Sequence, residues 1–251
     1  MQLFFDHICG KQNDMDFLHM LVSATFEPHE HQWALDNGWT PSNIWYSQNT
    51  NFKEQNETIW YQSRQSRINL EKYQETASER RTRKKAKNPC YKVVSFDFDK
   101  MYPIYVEYMN YRDFGDMLTS KEFCDYYDDD KLIFIMYEDV AISILEVVGE
   151  SLLAHQFIWN YHNPKLGLGS YATYVERKFA EEMKLKYLYL GPSYETVGTY
   201  KSKYSGFEFW TGRKWSDDIE AYKKLLAKDE ELIDITGLTS YYNTYFGLLS
   251  V

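Results

Sequence analysis

Between residues 131 and 191 the chain reads as three β-rich runs, a short glycine-bearing loop, an amphipathic helix and one more strand, and this order restricts the fold more than any other feature. The runs at 131–137, 140–148 and 151–161 are dense in Ile, Val, Leu and aromatic residues. The joints Glu138-Asp139 and Gly149-Glu150 are so short that the runs must pair as an antiparallel meander. Beyond Lys165-Leu166-Gly167-Leu168-Gly169-Ser170, the apolar positions Tyr171, Tyr174, Val175, Phe179, Ala180 and Met183 recur at helical spacing, which predicts a helix over 170–183. A strand at 185–190 then stops at Gly191-Pro192. The pattern predicts an α+β fold built on a meander, a helix and a returning strand.

Upstream the elements are shorter. Strands are expected around Leu3-Phe4-Phe5 and Ile59-Trp60-Tyr61, and a helix over 28–37 that ends at Gly38. Residues 70–87 read as helical, Asn88-Pro89 breaks the chain, and a strand-like 91–96 follows. Tyr102, Tyr105, Tyr108 and Met109 give 97–127 a helical pattern, with a second short helix starting near Ser120. The break places the expected boundary between a smaller α/β subdomain, 1–90, and a larger domain, 91–251. Asp128-Asp129-Asp130 reads as a solvated turn. His29-Glu30-His31 reads as a surface turn, because Trp33 stands where a zinc helix needs its second histidine. Cys9, Cys90 and Cys124 have neither disulfide nor zinc spacing, so free thiols are expected. No stretch approaches the roughly 20 apolar residues of a membrane span, and the expectation is a cytoplasmic chain with no membrane partner.

The net charge of −9 is unevenly spread. Segment 64–87 holds nine basic residues against three acidic ones, a net +6, which leaves −15 for the rest. Arg64, Arg67, Arg80, Arg81, Arg83, Lys84 and Lys85 are therefore candidate contacts to phosphates, with the aromatic residues Trp60, Tyr61 and Tyr73 near enough in sequence to stack on bases. The same run also fits a merely solvated helix face.

A meander, a glycine-bearing loop, a helix and a returning strand is the order of the GNAT acyltransferase core. Gly167 and Gly169 fill the last two places of that fold's acyl-CoA loop pattern, but Pro164 stands where an Arg or Gln is usual. Four further stretches occur in order: Trp159-Asn160-Tyr161-His162-Asn163-Pro164, Leu168-Gly169-Ser170-Tyr171, Lys186-Tyr187-Leu188-Tyr189-Leu190-Gly191, and Tyr200-Lys201-Ser202-Lys203-Tyr204-Ser205-Gly206-Phe207-Glu208 with Trp215 beyond. Together they resemble the C-terminal half of the arginyl-tRNA and leucyl-tRNA protein transferases. Leu35-Asp36-Asn37-Gly38-Trp39-Thr40-Pro41-Ser42, segment 63–87 and segment 98–108 resemble further elements of that family. Three departures stand out. The family's N-terminal cysteine cluster is reduced to Cys9-Gly10, so no iron–sulfur or zinc site is expected; His162 replaces an Asp, and Gly206 replaces a Pro.

The resemblance implies aminolysis of an ester. The amino acid on a charged tRNA is held by an activated ester, and the α-amine of a protein or peptide attacks its carbonyl. An α-amine titrates near ~8, so positioning, a weak base and an oxyanion donor suffice, with no cofactor beyond the aminoacyl-tRNA co-substrate and no DNA partner. Within that reading the resemblance makes Tyr189 a proton donor to the leaving ribose hydroxyl and Glu208 a base or orienter of the amine. Lys201 pairs with an acidic acceptor or the tRNA end, and Tyr200 joins this catalytic group. His162, Asn163, Gly167, Gly169 and Ser170 would hold substrate. Two alternatives stay open: an N-acyltransferase using acetyl-CoA, whose pyrophosphate would sit on the 167–169 loop, and a non-catalytic binder of tRNA or peptide ends.

Overall fold

A computed structural model describes residues 2–12, 15–41, 58–62, 64–85, 90–112, 117–160, 167–193 and 196–230. The fold is a mixed α/β one. The chain forms two compact units, residues 1–69 with 190–251 and residues 70–189. The units therefore part at 69/70 and again at 189/190, whereas the Asn88-Pro89 break had suggested a single boundary near 90. The reason is topological: the strand at 65–69 finds its partner at 207–209, so the C-terminal part of the chain returns to complete the N-terminal unit.

The first unit opens with a long hairpin, β1 (Gln2–Gln12) and β2 (Met15–Thr25), paired from Gln2↔Thr25 to Gln12↔Met15. A 3₁₀ turn at Pro28–Glu30 leads into α1 (His31–Asp36), and the helix stops at Asn37-Gly38, where Gly38 adopts φ +77°. Strands β3 (Trp39–Pro41) and β4 (Ile59–Gln62) complete a sheet of order β1-β2-β4-β3. Phe26 sits edge-on to Trp39 at 5.1 Å and to Trp60 at 5.8 Å, which fastens α1's approach to this sheet. His31 belongs to the same packing, 4.8 Å from the Trp60 ring with a ring nitrogen 3.3 Å from the Phe26 carbonyl. Strand β5 (Gln65–Asn69) closes this N-terminal part.

The second unit begins with α2 (Ala77–Lys85), shorter than the 70–87 that composition suggested. Thr76 and Glu79 cap it reciprocally: the Glu79 amide donates to Thr76 Oγ1 and the Thr76 amide to Glu79 Oε2. Edge strand β6 (Tyr91–Val94), α3 (Phe98–Arg112) and α4 (Ser120–Tyr127) follow, α4 starting from a Thr119/Glu122 capping box. The expected meander is β7 (Leu132–Tyr137), β8 (Ala141–Val148) and β9 (Ser151–Trp159). Glu138 and Asp139, at φ 46° and 54°, make its first hairpin turn, since two left-handed residues match the twist of the strands they join. Helix α5 (Leu168–Glu182) and β10 (Tyr187–Pro192) finish the unit, with β10 lying parallel to β9 and its last three residues entering the first unit. Adjacent strand residues point to opposite faces. Gln156 of β9 bonds Tyr127 of α4, while Phe157 packs beside Gly169 of α5, so the two sets of helices cover opposite faces of the sheet.

Back in the first unit, a 3₁₀ segment, Thr196–Lys203, leads to β11 (Phe207–Trp210), β12 (Trp215–Ser216) and α6 (Ile219–Glu230). β11 pairs antiparallel with β5, and α6 lays Tyr222 and Leu226 on Phe207 and Phe209. Among the described residues no helix is long and apolar enough to cross a membrane.

Candidate functional site

Lys201 is the first unit's most unusual side chain. It lies in the 3₁₀ segment between β10 and β11, only 7% exposed, and its ammonium donates to the carbonyl oxygens of Gly191 at 3.0 Å and Pro192 at 2.8 Å. Gly191 takes φ +77°, a left-handed conformation that a glycine adopts without cost and that sets this carbonyl at the strand end. Burial pulls the Lys201 pKa down to about 7. The amine is thus poised between donor and acceptor near neutral pH, whereas the sequence had suggested a lysine reaching outward to a substrate charge.

Glu208 is committed elsewhere. On β11, opposite Arg67 of β5, it accepts from Arg67 Nε at 2.9 Å and from Asn69 Nδ2 at 3.2 Å, and it forms an ion pair with Arg67 Nη2 at 2.9 Å. The Arg67 guanidinium also lies 3.9 Å from the Trp215 ring centroid and 3.5 Å from Asp36 Oδ1. Trp215 Nε1 donates to the Asp36 carbonyl, tying α1 to β12. A carboxylate so engaged orients its neighbours; it is not a ready base. Arg64, fully buried, forms a two-pronged ion pair with Asp229 of α6. Arg64 and Arg67 therefore do not join a cationic surface as expected: both lie in the interior, held by acids more than a hundred residues on in the case of Asp229 and Glu208.

Tyr200 is exposed on the 3₁₀ segment, with the Lys203 ammonium 5.6 Å from its ring centroid. Tyr189, in the second unit's part of β10, is a buried ring beside Tyr187, at 6.4 Å, so it does not present a hydroxyl to solvent as a proton donor to ribose would.

In the second unit, Gly167 at φ 68° turns the chain into α5, and its carbonyl accepts from the amides of Ser170 and Tyr171. Gly169 and Ser170 occupy the helix's first turn. The expected ligand residues His162 and Asn163 lie outside the described residues. The remaining cations divide by the face of α2. Arg83 turns inward, its guanidinium 4.8 Å from the Tyr174 ring of α5, with Glu75 as ion-pair partner at 3.2 Å. Arg177 of α5 lies 4.1 Å from the Tyr73 ring and 5.3 Å from Tyr174. Arg80, Arg81 and Lys84 are exposed, and Lys85 ends the helix. One face of α2 is thus clamped by stacked guanidinium and phenol groups, and the opposite face shows cations.

Two polar groupings of the second unit had no signal in the sequence. Glu176 of α5 is buried and accepts from Ser143 Oγ at 2.6 Å, and Ser143 in turn lies 3.0 Å from the Tyr137 hydroxyl. Burial raises the Glu176 carboxyl to about 7, partly offset by the serine bond. The other is a contact between His155 and Glu146 on neighbouring strands. Neither is visible as a motif, because each joins single residues of different elements.

No protein family and no curated protein matches the chain. Among solved structures, it is similar to the C-terminal domain of an Agrobacterium fabrum protein assigned as a lysylphosphatidylglycerol synthetase, at 10% identity over 79% of this chain and 72% of that one, TM-score 0.45. It is also similar to L-PGS from Bacillus licheniformis, at 10% identity over 82% and 73%, TM-score 0.44. A third, FemX, shares 8% identity over 76% and 80%, TM-score 0.41. Likeness at this level leaves function to be argued from the chain's own residues.

Proposed function

We propose that this chain is an aminoacyltransferase with a GNAT-like fold that takes an amino acid from a charged tRNA and joins it to the α-amine of a protein or peptide. The observation that supports a polynucleotide-borne donor is the display of Arg80, Arg81 and Lys84 on a helix whose other face is fixed to α5. In a chain of net charge −9, a rigid cationic ridge is what a phosphate backbone would find, and phosphate contacts supply most sequence-independent affinity.

The chemistry is ester aminolysis. The acceptor nitrogen forms a bond to the carbonyl carbon, the carbon–oxygen bond to ribose breaks, the nitrogen loses a proton and the ribose oxygen gains one. Among the side chains expected to act, Lys201 is poised near neutral pH, so it is assigned a proton-handling or oxyanion-stabilising role. An acetyl-CoA donor is the second reading, favoured by the glycine turn into α5 at Gly167.

Incubation with tRNA charged with a labelled amino acid, or with labelled acetyl-CoA, together with a peptide acceptor separates the two. Acid-stable label in peptide from charged tRNA is the expected result. Transfer from acetyl-CoA alone rejects the tRNA reading, and salt-sensitive tRNA binding with no transfer identifies a binder.

A further inference from the structure

Helix α5 turns a stripe of Leu168, Ala172, Glu176 and Ala180 inward, each at most 5% exposed. Residues at this four-residue spacing lie one above another on a single helix face. Three of the four are what packing on a sheet calls for, and the small alanines on either side of Glu176 let the helix come close. A carboxyl in that stripe is what packing alone would avoid, because a buried charge without a cation is costly.

Among the described residues no cation meets Glu176. Its Oε1 accepts from Ser143, on the middle strand of the meander, and the Tyr137 hydroxyl of β7 lies 3.0 Å from that serine. Burial raises the Tyr137 and Tyr171 phenols, so neither carries charge near neutral pH. From β9 the side chain beside the first turn of α5 is Phe157. Glu146, three positions along β8 from Ser143, lies on the opposite face of the sheet, where His155 meets it. On α2, Arg83 is taken up by Glu75 and the Tyr174 ring; on α5 itself, Arg177 is taken up by Glu181 and the Tyr73 ring. Desolvation, offset in part by the serine bond, therefore sets the Glu176 carboxyl at about 7, against 4.5 in water. The helix that carries it begins at the Gly167 turn and, through Tyr174, holds the helix that displays Arg80, Arg81 and Lys84.

We propose that Glu176 makes α5 a pH-sensitive latch: seated on the sheet, the helix keeps this carboxyl as the neutral acid, and lifting it hands the proton to water. Acid therefore closes the latch, and with it both the glycine turn and the cationic ridge of α2 are held in place. What the latch serves rests on the aminoacyl-transfer reading; the latch itself rests on the stripe and its serine. The sign follows from linkage, since the open helix binds fewer protons than the seated one. Reciprocally, a ligand that needs the seated helix strengthens its hold on that proton. Glu176 is a positioning residue.

The test is amide hydrogen exchange of the full chain, read by mass spectrometry across the acid-to-neutral range and corrected for the intrinsic pH dependence of exchange. Opening of α5 should become about tenfold more frequent per pH unit between 4.5 and about 7, and level off above that. The amides of β8 should not follow, because the meander stays closed. Glu176→Gln keeps the shape of the stripe and should flatten the rise. Ser143→Ala removes the bond that favours the charged form, so the rise should run to higher pH before it levels. A level profile in the wild type overturns the proposal, as does a rise that Glu176→Gln leaves intact or one that β8 shares in full. Where Glu176→Gln does not fold, Ser143→Ala decides, and an unmoved plateau overturns the latch. Uncharged tRNA added at neutral pH should slow exchange in α5. No slowing, with the Glu176-dependent rise intact, defeats the tRNA reading and leaves the latch standing.

Discussion

β5 and α2 carry parts of one basic run, yet Arg64 and Arg67 at β5 lie in the interior against Asp229 and Glu208, whereas Arg80, Arg81 and Lys84 on α2 face solvent. β5 is buried along Gln65–Ile68, on both of its alternating faces, so its side chains must be accommodated inside. A helix always has an outer face. Burying a guanidinium is costly unless an acid meets it, and both buried arginines have one. Charge density along a chain therefore says little about charge at the surface: Arg64 and Arg67 hold the fold together, and the cations of α2 are the ones a partner can reach.

The sharpest way to break this contrast is to remove a buried cation. Arg64→Ala leaves Asp229 charged and enclosed and should cost about 3–5 kcal/mol, read as a lowered urea midpoint, while Arg80→Ala should stay within about 0.5 kcal/mol of the parent. Equal losses would erase the distinction.

Lys201 and Glu176 sharpen it, because among the described residues each is buried without an opposite charge. The folded chain releases the Lys201 proton near pH 7, whereas the unfolded chain holds it to about 10.5, so stability should rise with pH across that window and Lys201→Met should flatten the rise. Glu176 has the opposite sign. Its folded form keeps a proton up to about pH 7 and its unfolded form releases it near 4.5, so stability should fall over that interval. The fall should total about 3 kcal/mol, and Glu176→Gln should abolish it in denaturant titrations at several pH values.

On the displayed side, reversing Arg80, Arg81 and Lys84 to Glu should leave the melting temperature nearly unchanged. The slope of log affinity for tRNA against log salt should shrink by roughly one for each phosphate that the helix no longer neutralises. The smallest effect is expected at the clamp: Tyr174→Ala should cost about 0.5–1 kcal/mol by removing the ring under Arg83. It should weaken tRNA binding only as far as α2 loosens.

Much of the second unit was legible because its signals are local. Dense β-branched runs joined by two-residue turns can only be a meander, and the glycine-bearing loop at 167–169 marks a helix start within a few residues. The first unit was less legible because its decisive contacts are remote. Nothing near Arg64 announces Asp229, and the run Arg64-Gln65-Ser66-Arg67 lacks the apolar alternation that would mark it as interior. The same distance hid the unit boundary, which lies at 69/70 and 189/190 and not near the Asn88-Pro89 signal. The candidate site shows both cases. Lys201 and Glu208 stood out by resemblance, but only the pairing of β5 with β11 reveals that one is engaged by Arg67 and the other is not.

The pairing of β5 with β11 also governs how the protein is made. Arg67 and Glu208 are 141 positions apart, and the whole second unit lies between them. During translation that unit leaves the ribosome entire before β5 can meet its partner, and domains generally fold as units in the order they emerge. A nascent chain halted before residue 207 therefore carries a finished middle and a β5 whose Arg67 still lacks Glu208, the stage at which a chaperone has most to protect.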